Sequence, residues 1–291
     1  MSGKVTSGSR EPRSRQPGAR SPRSPSPQSP SHESEAMTHQ PIAAEARSPG
    51  RAPVLLSWSG GKDSMLMWHA ILQEGNLVPA GLVTTFTEPG GRVATHRVRR
   101  ELLEAQAAAL GLPLHPVLLP PAPPDAVYKE RLAAVLVAAL QEGEKAATRN
   151  GETTNRGRMP AVGRVAFGDL FLADLRAWRQ RHMAELGIEP LFPLWGRDTA
   201  ALARHFLEGG FAATVVALDT DVLPANLAGE PYDAAFLDAL PPGVDPCGEN
   251  GEFHTFVHAG PLFGHPLAVR RGKCRIEGRF AYCDLLPQSA G

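Results

Sequence analysis

Between Val54 and Asp219 the sequence alternates strand-length and helix-length segments, and this alternation restricts the chain more than any other feature. "VLLSW" (54–58) is apolar but for Ser57, the pattern of a strand buried on both faces. "SMLMWHAILQ" (64–73) follows with apolar residues at helical spacing. Further strands are predicted at "LVPAGLVTTF" (77–86), "LHPVLL" (114–119), "GRVAFG" (163–168), "EPLFPLW" (189–195) and "AATVVALD" (212–219). Helices are predicted between them at "HRVRRELLEAQAAALG" (96–111), "AVYKERLAAVLVAALQEG" (126–143), "DLRAWRQRHMAELG" (174–187) and "TAALARHFLEGG" (199–210). Such a chain folds as α/β, with a parallel sheet covered by helices on both faces.

Three stretches leave this rhythm. Residues 1–50 are rich in serine, proline and arginine with little to bury, and are expected to be a disordered tail in which Met37 is a second candidate start. Residues 142–162 are polar and rich in glycine, asparagine and threonine, as a flexible surface insertion would be. After Pro224 turns and short strands dominate. The expected division is an ATP-binding domain over 51–222 and a smaller C-terminal substrate-binding region over 223–291.

Charge excludes some classes. The 30 Lys and Arg balance the 30 Asp and Glu, so no whole-protein field draws in nucleic acid or a membrane surface. No apolar run reaches the roughly 18 residues of a membrane span. Cys247, Cys274 and Cys283 are an odd number at no metal-like spacing, which predicts free thiols and a cytoplasmic protein. A homo-oligomer is compatible with this composition.

The first strand runs straight into "SGGKDS" (59–64) and a helix. Glycines at a strand's carboxyl end let backbone N–H groups approach an anion, and the helix N-terminus adds a favourable dipole. Ser59, Gly60, Gly61, Lys62, Asp63 and Ser64 are therefore the candidate phosphate loop, with Lys62 as a point charge and Asp63 as a metal ligand or helix cap. The Walker loop is excluded, because Asp63 follows the lysine where that motif needs Ser or Thr. The alternative is an ordinary Gly-Gly turn.

The second informative stretch is "DPCGENGEFHTFVHAGPLF" (245–263). It sets Glu249 and Glu252 three residues apart among Gly248 and Gly251, followed by His254 and Thr255. The paired carboxylates suit Mg²⁺, an amine or acid–base work, and the alternative is a charged surface turn. Zinc held by Cys247, His254 and His258 is conceivable, although Cys247 lies at no usual ligand spacing. Asp169, Trp195 and Asp219 fall at predicted strand ends on the edge of the loop. His96 and Arg99 open a helix where an anion could be met, and Arg176 and Arg179 share one helix face from which either could clamp a carboxylate.

S-G-G-x-D-S resembles the fingerprint of the PP-loop ATP pyrophosphatases, and "SGGKDS" with "GENGEFHT" resembles the diphthine–ammonia ligase family among them. The likeness covers about residues 53–287 and includes "THRVR", "FGDLFLADLRAWR" and "PLWGRDT". "LADLRAWR" and "GENGEFHT" stand where eukaryotic and archaeal members have patterns like "SEYQRxR" and "GEGGEYET", so the chain is more similar to the bacterial branch. The resemblance implies an adenine-nucleotide α-hydrolase-like sheet and an ATP- and Mg²⁺-dependent amide ligase. In such an enzyme a carboxylate, small or protein-borne, is adenylated with release of pyrophosphate, and ammonia displaces AMP. It implies catalytic roles for Lys62, Asp63, Glu249 and Glu252, and leaves the acid open between diphthine and another, cobalamin-related one. A tRNA-modifying PP-loop enzyme and a non-enzymatic nucleotide sensor are the alternatives.

Overall fold

The structure, a computed structural model, describes residues 51–149 and 163–288, without the side chains of 143–149. The 1–50 tail and most of the expected insertion lie outside the described residues, while residues 142–149 continue a helix.

The elements follow the predicted alternation: β1 (Ala52–Ser57), α1 (Lys62–Glu74), β2 (Leu77–Thr87), β3 (Arg92–Val93), α2 (Arg100–Leu110), β4 (Leu114–Leu119), α3 (Asp125–Arg149), β5 (Arg164–Ala166), α4 (Ala173–Glu185), β6 (Glu189–Leu191) and α5 (Thr199–Glu208). Parallel pairing gives the order β4-β2-β1-β5-β6, and β3 adds antiparallel to the end of β2. The chain builds outward from β1 through β2 to β4, then returns to place β5 on the other side of β1. Ligands in open α/β sheets bind at the carboxyl ends of the strands where the order reverses, here between β1 and β5.

Alternation along β1 shows why the run is continuous. Val54 and Leu56 enter one core with α1 and α2, and Leu55 enters another with Leu132 and Leu136 of α3 and Met183 of α4. Val54, Leu55 and Leu56 each face a helix layer, so all three are apolar, and Ser57 follows where the strand is only partly buried.

A second sheet follows, built from β7 (Ala212–Asp219), β8 (Phe253–Ala259), β9 (Val269–Glu277) and β10 (Phe280–Pro287). Its order is β8-β7-β10-β9 and every pair is antiparallel. Two expectations are corrected here. The "AATVVALD" strand does not join the parallel sheet, and as β7 it pairs antiparallel with β8 and β10 instead. Asp219 therefore does not reach the loop's edge, and it meets Arg279 at 2.8 Å instead. Helix α1 packs on both β2 and β8, which explains why Met65, Leu66, Met67, Trp68 and Ile71 are all buried around it.

The cysteine expectation is also corrected. Cys274 and Cys283 face each other across β9 and β10 and form a disulfide, while Cys247 is free and buried. A register of strands brings together two residues nine apart in sequence, which spacing rules do not encode.

Asp284 on β10 ties the sheets together. Arg92 donates to it at 2.9 Å and Arg99 at 2.6 Å. Arg99, a candidate to meet an anion, is instead committed to a structural ion pair. Burial alone would raise the Asp284 carboxyl, but the hydrogen bonds from Arg99 and Arg92 outweigh it and hold it at about 2. Asp284→Asn is expected to cost about 2 kcal/mol in urea unfolding, the scale of charge-assisted hydrogen bonds. Because the folded-state value lies below the ordinary carboxylate value, this contribution is present above about pH 4 and lost as pH falls toward 2. An Asn variant as stable as the parent at pH 7 would show that the bridge contributes nothing.

Candidate active site

The phosphate-loop residues fold as a tight turn between β1 and α1. Gly60 has φ +80°, and a Cβ there would meet Leu103 Cδ1 at 2.9 Å, so only glycine fits. Hydroxyls lace the turn: Ser64 Oγ accepts from Ser59 N at 3.1 Å, Ser59 Oγ from Gly61 N at 3.3 Å, and Thr255 Oγ1 from Lys62 N at 3.0 Å. Gln106 fastens the turn from behind. It is fully buried, its Nε2 donates to Gly60 O at 3.1 Å and to Val257 O at 2.6 Å, and its Oε1 accepts from Trp58 Nε1 at 2.7 Å. Gln106 was not singled out from sequence. The signal was there, as a polar residue in the apolar stripe of Leu102, Leu103, Ala107 and Leu110.

A cleft of about 320 Å³ opens at the switch point. Its polar wall is formed by Ser59, Asp63 and Ser64 with Thr85, Thr95 and His96, and its apolar wall by Leu132, Leu136, Val165 and Phe167. Asp169, Arg179, Gly248, Glu249 and His254 complete it. Residues of the first loop and of the "GENGEFHT" stretch thus meet in space, as does the 168–169 turn.

Other expected residues stand behind the cleft. Lys62 is 2% exposed and turned away from it. Its ammonium donates to Asp63 Oδ2 at 2.9 Å and to the Cys247 carbonyl, and lies 5.4 Å from the centroid of the Phe253 ring. Burial would lower its pKa, but Asp63 and Asp245 outweigh that, so it remains a cation. Glu252 is buried and accepts from Asp245 N at 3.2 Å and Asn250 Nδ2 at 2.9 Å, fastening its own loop. Gly60, Gly61, Gly251 and Thr255 shape the backbone around the cleft without lining it.

Glu249 reaches across to the turn after β5. Its Oε1 accepts from Leu170 N at 2.8 Å, with Phe171 N at 3.5 Å. Burial, reinforced by the charge of Asp63, pushes its carboxyl up to about 7 despite these amide bonds. Asp169 approaches Arg179 Nε to 2.7 Å, off the line of a good hydrogen bond, and Arg179 also lies 4.3 Å over the Phe167 ring. Arg176 turns to the Trp195 ring at 4.4 Å.

Asp63 Oδ1 is buried with no hydrogen-bond partner among the described residues, which leaves that oxygen free to meet a cation. Among the described residues no group of three or more His, Cys, Asp or Glu could cage a metal by itself. Mg²⁺ characteristically takes one or two carboxylates and completes its shell with phosphates and water.

Strand order, a glycine turn at the switch point and a cleft above it define an α/β fold of the PP-loop type. The sequence matches the family model of the diphthamide synthase N-terminal domain over residues 52–119 and that of the C-terminal domain over 198–288, together more than half of the chain. The chain belongs to the diphthamide synthase family. It is 27% identical over 120 residues to the diphthine–ammonia ligase of Rattus norvegicus and 26% identical over 124 residues to that of Homo sapiens. Each alignment covers 39% of this chain and 45% of the relative, so the chain spans less than half the length of these curated relatives.

Proposed function

We propose that the chain is an ATP-dependent amide ligase of the diphthine–ammonia ligase type, which activates a carboxylate as its adenylate and transfers ammonia to it. The observation that carries this reading is the meeting of Asp63, Ser59 and Ser64 with Glu249 in one cleft at the switch point. The "SGGKDS" turn would hold the triphosphate with its hydroxyls and the α1 dipole. Mg²⁺ at Asp63 would screen phosphate charge. Lys62, held beneath the turn, would act by joining the first turn of α1 to the Cys247–Gly248 backbone rather than by touching phosphate.

Glu249 is the residue best suited to the acceptor step. As ammonia attacks the activated carbonyl, a proton leaves its nitrogen and the carboxylate can take it, while AMP departs. A value of about 7 matches general-base work near neutrality. Asp169 and Arg179, on the wall formed by the 168–172 turn and α4, would orient the acceptor acid.

Incubating the protein with ATP, Mg²⁺, ammonium and a panel of carboxylic acids, including diphthine-bearing protein, tests the reading. Pyrophosphate and AMP are expected, and ADP with orthophosphate would overturn it. The pH profile of kcat/KM for the acceptor is expected to show an acidic limb near pH 7, because protonated Glu249 cannot accept a proton, and Glu249→Gln should abolish the limb. A limb that persists in that variant would assign the base elsewhere.

A further inference from the structure

His96, between β3 and α2, and His254, on β8, stack face to face in the cleft wall, with ring centroids 4.5 Å apart and planes 19° from parallel. They come from positions 158 residues apart, and His96 stands directly on the phosphate turn: a Cβ added to Gly61 would lie 2.9 Å from His96 Cε1. His96 Nδ1 is 3.2 Å from Thr255 O, an acceptor, so Nδ1 carries the proton and Nε2 keeps its lone pair.

Charge in the cleft gives the pair a task. The lining carries three carboxylates, Asp63, Asp169 and Glu249, and among the described residues its single Lys or Arg is Arg179, already facing Asp169. Lys62 is sealed behind the turn. With Asp169 paired to Arg179 and Asp63 to Lys62, a polyphosphate anion entering here finds no uncommitted Lys or Arg side chain in the lining. Apart from a bound metal ion, the described groups able to add positive charge at the turn are the two imidazoles.

We propose that the His96–His254 pair is a proton-loaded clamp for the polyphosphate group, taking up one proton when that anion binds and giving it back when pyrophosphate leaves. The inference rests on the nucleotide reading of the turn. In the free protein burial keeps both rings neutral: His96 lies well below its ordinary value, with His254 and Lys62 adding to the effect, and His254 lies at about 4, with Lys62 adding to it. The titratable and charged groups around the pair are the rings themselves, Lys62 from α1, and Asp63 and Glu249 on the same cleft; Arg97, next in sequence, turns out to Glu277 at 3.8 Å. An adjacent polyanion reverses the balance for one ring. Rings this close do not both become cations, which sets the uptake at one proton.

The test uses the full chain with inorganic pyrophosphate and α,β-methylene-ATP as probes. Histidine ring NMR of the wild-type protein should show both rings titrating below the ordinary histidine range when free, and one ring titrating above about pH 8 when pyrophosphate is bound. Calorimetry at pH 7 in buffers of different ionisation enthalpy should show His96→Asn/His254→Asn taking up about one proton fewer than wild type on binding the same probe. Ring titrations unmoved in the bound wild-type protein, or equal uptake in a folded double variant, would overturn the clamp while leaving the nucleotide reading intact. Failure of wild type to bind either probe would overturn both. The NMR arm needs no substitution, so a variant that does not fold leaves the proposal exposed to refutation.

Discussion

Glu249→Gln should lower kcat/KM for the acceptor by at least about 100-fold, the scale of a lost general base, while changing nucleotide affinity by less than about threefold. The amide side chain keeps the size of the carboxyl and an oxygen that can accept from Leu170 N and Phe171 N, so the clasp onto the turn after β5 survives. What disappears is a site for the proton from the attacking nitrogen. Steady-state release of pyrophosphate, with nucleotide affinity measured separately, distinguishes the two steps. Undiminished amide formation would reduce Glu249 to a loop fastener. Glu252 makes an instructive control. Its side chain bonds only its own loop within the described residues, so its substitution should act through stability and disturb nucleotide and acceptor parameters together.

The second large effect is expected at Gly61. A side chain here meets the Thr255 carbonyl 3.0 Å from Cβ and the His96 ring at 2.9 Å. The ring can swing aside, but the carbonyl is β8 backbone and cannot. Gly61→Val should therefore force the turn off β8 and weaken nucleotide binding by at least about 100-fold, equivalent to about 2.7 kcal/mol. The fold should persist, because the α1 core residues lie on the far side of the turn, with overpacking costing about 1–3 kcal/mol. Nucleotide affinity by calorimetry, beside a urea melt, checks both halves. A folded variant that binds nucleotide normally would remove the turn from the binding site.

What was legible from sequence follows from local chemistry. Strand β1, helix α1 and the glycine turn between them could be read because continuous apolar character, helical periodicity and paired glycines are all short-range signals. Residue types in "GENGEFHT" marked a second constellation, although spacing alone could not tell a site from a surface turn.

Tertiary structure decided what depends on who faces whom. The same SGGKDS turn admits a lysine pointing at phosphate or one buried behind it, and only the packing of Tyr232, Phe253 and the Cys247 carbonyl around its ammonium selects the second. Glu249 and Glu252 are three residues apart and chemically identical, yet one crosses to the turn after β5 and the other closes its own loop. "AATVVALD" has the composition of a parallel strand, but its sheet was chosen by partners that come later in the chain. The Cys274–Cys283 and His96–His254 pairs are products of register and of stacking between distant segments. Local propensity carries no term for such contacts, so a sequence specifies them only through the fold it completes.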